Sequence, residues 1–332
     1  MSEVTLRSLA EQLGVSTATI SMVLNNKPGI SEETRQRVLD HVKASGYKIR
    51  QYNASAKRSR GNTGLIIFKK HGKVVGDTPF FSRLIESIEH QADTEGYRIS
   101  IKYMNANSPL NDFDNGLQGL LVLATEMTDQ DIYPFMKLSI PIVALDNGFY
   151  NLPINTVSID NMGGTGSATR HLIECGHRKI GYMKSSVPIN NFDERYFAYK
   201  QALDDAGLEP ADVIELEPNM EASYRNMMQW LSDNKLGSTA FVGDNDFIVL
   251  GAIRALREND IKLGRDISVV GFDDLPFARI NEPALTTVRV YNDVMGKSAF
   301  RRLTEIIKNP DSPYTHTQIG TSLKVRNSVM SL

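Results

Sequence analysis

The chain has 332 residues, of which 41% are hydrophobic and 23% are charged. This length suits two or three domains, and the composition is that of a globular protein with a buried core. No apolar run approaches the roughly 18 residues of a membrane span, and no signal-peptide pattern opens the chain. A single cysteine, Cys175, excludes an internal disulfide framework. We therefore expect a cytoplasmic protein without a membrane segment.

The net charge of −2 conceals an uneven distribution. Residues 1–60 contain ten basic and five acidic side chains, so this stretch carries +5 and the remainder −7. A basic region on an acidic body is typical of nucleic-acid binding, because phosphate contacts supply most of the non-specific affinity. A solvated tail can also be basic, but this stretch has helical periodicity and capping residues. The charge pattern therefore favours a nucleic-acid partner for the amino-terminal region.

Residues 4–26 predict two short helices joined by a tight turn at Gly14. Thr5 can cap the first helix and Ser16 the second, while Ser31 can cap a third that follows. Apolar residues at helical spacing form the inward faces of the three helices: Leu6, Leu9, Ala10 and Leu13, then Ile20, Val23 and Leu24, then Val38, Leu39 and Val42.

The second predicted helix is suited to a DNA groove. Its outward residues are short or unbranched, as a helix lying in a major groove requires: Thr17, Ala18, Ser21 and Met22. We expect base contacts from Thr17, Ala18 and Met22, and phosphate contacts from Ser16, Ser21 and Asn25. Alanine and methionine favour thymine methyl groups, which predicts an A·T-leaning half-site. An ordinary three-helix bundle is the alternative interpretation.

The first fifty residues also carry a specific set of motifs: Val4–Leu6, Ala10, Glu11, Gly14–Ser16, Thr19–Ser21, Val23, Asn25, Ser31, Thr34, Arg35, Gly46 and Tyr47. In these positions the region resembles the amino-terminal domain of the LacI–GalR family of transcriptional regulators. The resemblance implies a helix-turn-helix head over residues 1–46 that binds operator DNA as a homodimer, since one head reads only a few base pairs. It adds three expected DNA contacts: Thr5, Ser31 and Tyr47.

Residues 47–62 are polar and basic with almost no apolar periodicity, and they predict a linker. In the LacI–GalR family the matching stretch becomes a hinge helix on operator DNA, with a leucine wedged into the minor groove. Here Ala56 takes the position of that leucine, and Ile49 takes the position of a proline. We expect Ser55 and Ala56 at the DNA, but alanine has no wedge to insert between base steps.

From Gly64 onward, short apolar runs alternate with amphipathic helical stretches. The runs that predict strands are 65–68, 99–103, 120–123, 140–146, 157–160, 179–183, 213–216, 240–242 and 267–272. The stretches that predict helices are 80–94, 164–175, 194–206, 223–232 and 247–259. This alternation predicts an α/β architecture of two doubly wound lobes over residues 63–332, with parallel sheets. Small ligands bind such folds in the cleft at the carboxyl ends of the strands.

This second part also resembles the LacI–GalR family, in its periplasmic-binding-protein-like effector domain. Matching motifs include Pro79–Phe81, Gly119–Val122, Val157–Asn161, Gly176–Gly181, Ser268–Asp274 and Pro283–Val288. The resemblance implies that the lobes bind an effector and form the dimer, which we expect through stretches 80–94 and 247–259. Between Tyr103 and Gly119 the chain is about eight residues shorter than the family pattern, so we expect a truncated helix there.

Patterns typical of enzymes carry little weight in this sequence. Residues 163–169 follow a predicted strand and open a helix, but Thr169 replaces the third glycine of a dinucleotide-binding fingerprint. The six histidines have no metal-ligand spacing, and no Gly-x-Ser-x-Gly elbow occurs. We therefore predict no enzymatic activity, no cofactor and no metal site.

Acidic residues follow several of the predicted strands: Asp146, Asp160, Asp246 and Asp273. Buried carboxylates need hydrogen-bond donors, which sugar hydroxyls provide, but each of these residues could instead cap the following helix. The family resemblance favours Asp246 and Asp273 as effector contacts and adds two residues: Arg195 and Asn245. Aromatic residues that could stack on a sugar ring or a base, or else belong to the core, are Phe80, Phe81 and Tyr291.

Two functions from different classes fit these observations. The first is a ligand-responsive DNA-binding repressor whose effector is a sugar or sugar derivative, because the candidate contacts are aspartates and one arginine. The second is a solute-binding protein that delivers a sugar to a transporter and shares the two-lobed body. A basic helix-turn-helix in place of a secretory signal favours the repressor.

Overall fold

A computed structural model describes Leu9, Leu13, Val15, Thr19, Ile20 and Val23 together with residues 32–44, 60–76, 79–110 and 115–332. Contacts within the chain divide it into two compact units, Met1–Arg58 and Ser59–Leu332. The predicted DNA contacts all lie outside the described residues and stay predictions: Thr5, Ser16, Thr17, Ala18, Ser21, Met22, Asn25, Ser31, Tyr47, Ser55 and Ala56.

The first unit contains helix α1, Glu32–Ala44, and a small apolar core. Its buried residues are Leu9, Ile20, Val23, Val38 and Val42, with Leu13 and Val15 packed against them. With the exception of Val15, the helical spacing predicted these side chains to face inward. Leu39, also predicted inward, is 39% exposed because it lies one position off the Val38–Val42 face of the helix.

The second unit contains two six-stranded sheets. The first comprises β1 (Gly61–Phe68), β2 (Tyr97–Met104), β3 (Leu117–Leu123), β4 (Ile142–Leu145), β5 (Asn155–Ile159) and β11 (His316–Ile319). The second comprises β6 (Ile180–Ser185), β7 (Val213–Leu216), β8 (Ala240–Gly243), β9 (Ser268–Asp273), β10 (Thr286–Arg289) and β12 (Ser322–Lys324). Their orders are β11–β5–β4–β3–β1–β2 and β12–β10–β9–β8–β6–β7, and only β12 runs antiparallel to its neighbour.

Helices cover both sheets, which is why the central strands are apolar on both faces. They are α2 (Pro79–Glu95), α3 (Asp129–Met136), α4 (Asn161–Glu174), α5 (Asn190–Asp204), α6 (Met220–Asp233), α7 (Asp246–Glu258), α8 (Pro276–Ile280) and α9 (Asn292–Lys308). Helix α9 packs on α2 and on strands of the first sheet, whereas α4 packs on strands of the second. We call the two sheets with their helices the first lobe and the second lobe.

The chain passes between the lobes three times. It crosses at Asp160, between β5 and α4, and returns at Val290 and Tyr291, between β10 and α9. The third passage is Gly320 and Thr321, which join β11 of the first sheet to β12 of the second. Each lobe is therefore built from separate parts of the sequence.

The nine predicted strands and five predicted helices all overlap observed elements, and the two-lobed α/β prediction is confirmed. The sequence reading missed β10–β12, α3, α8 and α9. Between β2 and β3 the described residues, 105–110 and 115–116, form turns and no helix. Among the described helices, none is both long and apolar enough to cross a membrane.

Candidate ligand-binding site

A cavity of about 360 Å³ lies between the two lobes, at the carboxyl ends of their strands. This is the size of a small-molecule site and the position at which parallel sheets bind ligands. Six of the nine predicted ligand contacts line it: Phe80, Phe81, Asp146, Arg195, Asn245 and Asp273. The first three belong to the first lobe and the others to the second, so both lobes form the walls.

Arg195 places a cation in the wall of the cavity. It lies on α5 and is 3% exposed. Its Nε donates to Asn161 Oδ1 at 2.8 Å, and its Nη1 donates to the Asp244 carbonyl at 2.5 Å. The guanidinium carbon lies 3.7 Å from the centroid of the Phe272 ring. These contacts fix the guanidinium and leave N–H groups for a ligand, since it carries five.

Asp273 presents a carboxylate to which no donor within the described part of the chain is hydrogen-bonded. The residue ends β9 with a φ of 111°, a left-handed conformation, and its side chain is 11% exposed. Arg195 Nη1 lies 3.9 Å from its Oδ1, and no described residue donates a hydrogen bond to it. Burial raises the pKa of Asp273 to about 7, with Arg195 opposing the rise and Asp146 adding to it. A ligand that donates hydrogen bonds would relieve this unfavourable burial.

Asp146 connects the two lobes across the cavity. It follows β4 with a φ of 61° and is buried. Thr125 Oγ1, from the same lobe, donates to its Oδ2 at 2.7 Å. Asn191 Nδ2, from the second lobe, donates to its Oδ1 at 3.0 Å and to its carbonyl at 3.1 Å. Burial raises the pKa of Asp146 to about 6, against the hydrogen bonds and the charge of Arg195.

Aromatic rings provide the apolar part of the walls. Phe80 and Phe81 begin α2 and pack edge to face, with ring centroids 4.9 Å apart. Phe192 and Phe247 line the cavity from the second lobe. Asn245 Oδ1 accepts the backbone N–H three residues on and so caps α7, which leaves its amide nitrogen to face a ligand. Such rings stack on the apolar face of a sugar or base, and the amide supplies a directed donor.

Asp160, a predicted ligand contact, does not line the cavity. Its Oδ1 accepts from the Gly163 backbone N–H at 2.8 Å, so it caps α4 as the alternative reading proposed. The glycines that follow serve close packing. A Cβ on Gly164 would lie 2.8 Å from Thr321 Oγ1 and 2.9 Å from the Phe272 ring. The glycine-rich run thus lets α4 approach the second sheet.

Asp246 and Tyr291 do not line the cavity either. The buried carboxylate of Asp246 accepts from the Leu275 backbone N–H at 2.8 Å and from Thr287 Oγ1 at 2.6 Å. The Tyr291 hydroxyl lies 2.9 Å from Ser322 Oγ, and Tyr291 lines a different cavity. The polar side-chain atoms of both residues are therefore hydrogen-bonded within the second lobe.

Sequence reasoning missed several polar residues of the cavity: Lys73, Thr125, Asn191 and Asn219. Each of them follows a predicted strand within nine residues, but only the acidic residues in these positions were singled out. Asn191 was missed for a second reason. Its helix was predicted to begin at residue 194, whereas α5 begins at Asn190.

The described residues that line the cavity include no serine, cysteine or histidine. They include two aspartates, an arginine, amides and aromatic rings, an arrangement that suits reversible binding of a small polar molecule. The fold and the cavity together define a two-lobed ligand-binding protein that carries a separate amino-terminal unit.

Comparisons with known proteins place the chain in a family. Residues 5–49 match the family described as bacterial regulatory proteins, lacI family, and residues 169–329 match a periplasmic binding protein-like domain. The HTH-type transcriptional repressor PurR of Haemophilus influenzae (strain PittEE) is 31% identical, over 99% of this chain and 99% of its own length. The chain therefore belongs to the lacI family of bacterial regulatory proteins.

Other relatives agree in class. The HTH-type transcriptional regulator GalS of Salmonella typhimurium is 31% identical, over 89% of this chain and 88% of its own. The structure of a complex of transcriptional regulator CelR with cellobiose superposes with a TM-score of 0.71 at 25% identity, over 98% and 99% of the two chains. The structure of a Lac repressor dimer bound to operator and the anti-inducer ONPF superposes with a TM-score of 0.71 at 24% identity, over 99% of this chain and 100% of its own.

The protein is thus a ligand-responsive DNA-binding transcriptional repressor. The prediction of this class from the helix-turn-helix and the two lobes is confirmed, and the relatives PurR and GalS are a transcriptional repressor and a transcriptional regulator rather than enzymes. The alternative of a solute-binding protein accounts for the two-lobed body but leaves the match over residues 5–49 unexplained.

Proposed function

We propose that a sugar or sugar derivative, bound in the cavity between the lobes, sets the affinity of this repressor for operator DNA. The Asp273 carboxylate carries the proposal, because it is largely buried beside Arg195 and accepts no hydrogen bond from the described residues. A hydroxyl-rich ligand would donate to it, while Phe80 and Phe247 offer apolar faces. The cellobiose in the CelR complex supports this ligand class.

The change in DNA affinity on ligand binding would follow from ligand contacts made by both lobes. Asp146 belongs to the first lobe, and Arg195 and Asp273 belong to the second. A ligand that touches all three binds one arrangement of the lobes more tightly than another, and this difference limits how far it can change DNA affinity. In a homodimer, rotation of the lobes would alter the separation of the two linkers and hence of the two DNA-binding heads.

The remaining assignments complete the proposal. Residues 1–46 form the DNA-binding head, 47–62 the hinge, and 63–332 the domain that binds the effector and forms the homodimer. The protein works in the cytoplasm on operator DNA and catalyses no reaction. The Lac repressor dimer on its operator supports both the dimer and the DNA partner.

A ligand screen followed by DNA titration tests the proposal. Thermal-shift measurements with sugars and nucleosides should identify a stabilising sugar. Arg195→Ala and Asp273→Ala should then bind operator DNA but lose the response to that sugar. Asp160→Asn, which changes a carboxylate outside the cavity, serves as the control and should respond like the wild type. Stabilisation by nucleosides alone, or a wild-type response in both cavity variants, would contradict the proposed ligand or site.

A further inference from the structure

Glu126 gathers four backbone amides around one buried carboxylate. The residue lies three positions after β3, and its side chain is fully buried. Oε2 accepts from the N–H groups of His71 and Gly72 at 3.0 and 2.9 Å. Oε1 accepts from Val74 and Val75 at 2.9 and 2.8 Å. A stretch of five residues is thus wrapped around a single side chain from another part of the first lobe.

The electrostatics of Glu126 show how strongly the amides hold it. Burial alone would raise its pKa, but the four backbone hydrogen bonds outweigh burial and lower the pKa below the ordinary value. His71 Nδ1 also lies 3.2 Å from Oε1. The carboxylate is therefore ionised at neutral pH, with both of its oxygens occupied by donors.

The segment held in this way, residues 70–76, forms part of the cavity wall. Gly72, Lys73, Val74 and Gly76 all line the cavity. Within residues 71–75, the backbone N–H of Lys73 does not donate to Glu126. It donates to His71 Nδ1 at 3.2 Å instead. Its side chain reaches the second lobe, where Nζ lies 3.5 Å from Glu217 Oε2. We call residues 70–76 the cavity loop.

We infer that Glu126 is a positioning residue for the effector: it shapes the cavity loop, and the loop forms the wall of the cavity that reaches across to Glu217. The inference rests on the proposed function for the identity of the cavity. Glu126 does not itself line that cavity, so it acts through the loop rather than by touching the ligand.

Replacement of the carboxylate by an amide tests this role with little change in shape. A glutamine has one acceptor oxygen, so Glu126→Gln would point an NH2 group at two of the four N–H donors. Two amides would then lose their acceptor and the loop would open more often. Glu126→Asp keeps two acceptor oxygens on a shorter stem, and should fall between the wild type and the glutamine variant.

Hydrogen exchange on the full-length protein, without added sugar, provides the first measurement. In Glu126→Gln the amides of residues 71, 72, 74 and 75 should exchange at least tenfold faster than in the wild type. Unchanged exchange of these amides would overturn the inference. If Glu126→Gln does not fold, Glu126→Asp carries the same test with a smaller expected acceleration.

Calorimetric titration with D-ribose, D-galactose and cellobiose provides the second measurement, which is the affinity for sugar. Any of these sugars that binds the wild type should bind Glu126→Gln at least tenfold more weakly, and unchanged affinity with a loosened loop would overturn the inference. Should none bind the wild type, the proposed sugar class would be weakened, and the exchange result alone would decide the role of Glu126.

Asp212 offers a matched control in the second lobe. Its Oδ2 accepts from the backbone N–H groups of Gly237 and Ser238 at 2.9 and 2.7 Å, away from the cavity. Asp212→Asn should accelerate exchange at those two amides and leave both the cavity loop and sugar binding unchanged. If it weakens sugar binding as much as Glu126→Gln does, the effect is a general loss of stability and the inference fails.

Discussion

Two carboxylates, one in each lobe, stand in opposite situations: Asp273 lines the cavity, whereas Glu126 holds the loop that forms part of its wall. Glu126 accepts four backbone hydrogen bonds, and its pKa is lowered in spite of burial. Asp273 accepts none from the described residues, and burial raises its pKa to about 7. The difference shows that hydrogen-bond donors, rather than burial, decide whether an acidic side chain supports the fold or is available to a ligand.

The largest effect is expected when the cation between the carboxylates is removed. Arg195→Ala would leave Asp146, Asp244 and Asp273 buried without their common positive neighbour. Removal of one partner from a buried charged cluster destabilises by about 3–5 kcal/mol. Urea unfolding at pH 7 measures this loss. A loss below about 1 kcal/mol would show that these carboxyl groups are neutral in the folded protein.

Replacing the carboxylate by an amide should change the free energy of unfolding in opposite directions at Glu126 and Asp273. Glu126→Gln leaves two buried N–H groups without acceptors, at about 1–3 kcal/mol each, and should destabilise by roughly 2–6 kcal/mol. Asp273→Asn removes a largely buried charge that accepts no hydrogen bond from the described residues, and should stabilise by about 1–3 kcal/mol at pH 8. Urea unfolding of both variants at pH 8 measures the contrast. Destabilisation by both would mean that Asp273 has a structural role.

The raised pKa of Asp273 predicts how this contrast changes with pH. Between the unfolded value of 3.8 and the folded value of about 7, the folded protein binds the extra proton. The contribution of Asp273 to stability therefore falls as the pH rises through this window. The advantage of Asp273→Asn over the wild type should grow from pH 4 to pH 7. A constant difference would indicate that the pKa is not raised.

Sugar binding should follow the opposite trend, because hydroxyl groups donate to the ionised carboxylate. The affinity of the wild type for its sugar should rise about tenfold from pH 6 to pH 8 if one group with a pKa near 7 governs it. Asp273→Asn should lose most of this pH dependence. The small dependence that remains would come from Asp146, whose pKa is about 6. Calorimetry across this range measures it, and a flat profile in the wild type would contradict the expected contact.

The smallest effect concerns a carboxylate that serves only the fold. Asp160→Ala removes the cap of α4 and should destabilise by about 1 kcal/mol, since one helix donor loses its acceptor. Ligand affinity should not change, because Asp160 lies outside the cavity. Thermal unfolding and calorimetry test the two statements separately. A change in sugar affinity would show that the start of α4 contributes to the site.

Most of the fold could be predicted because buried parallel strands are continuous apolar runs. The runs at 65–68, 120–123 and 240–242 became β1, β3 and β8. The missed elements lie where this signal is weak. Strand β12 is three residues long, and none of its side chains is fully buried. Helix α9 is an exception, because its buried residues Met295, Ala299, Phe300 and Leu303 follow helical spacing and could have been predicted.

The site could be predicted only in part, because the sequence does not show which donors surround a carboxylate. Asp160, Asp246 and Asp273 each follow an apolar run, and the sequence makes all three of them candidate ligand contacts. The donor to Asp160 is three residues away, whereas the donors that occupy Asp246 come from Leu275 and Thr287. Contacts over 29 and 41 residues depend on the tertiary fold and leave no local pattern.

The three passages between the lobes have a consequence for synthesis on the ribosome. Strands β11 and β12, near the carboxyl end of the chain, form one edge of each sheet, and β11 pairs with β5 some 160 residues earlier. Neither sheet can gain its last strand until residues 316–324 have left the ribosome. The amino-terminal unit, by contrast, is complete within the first 58 residues. The nascent chain therefore carries its DNA-binding portion well before it can assemble the lobes that regulate it.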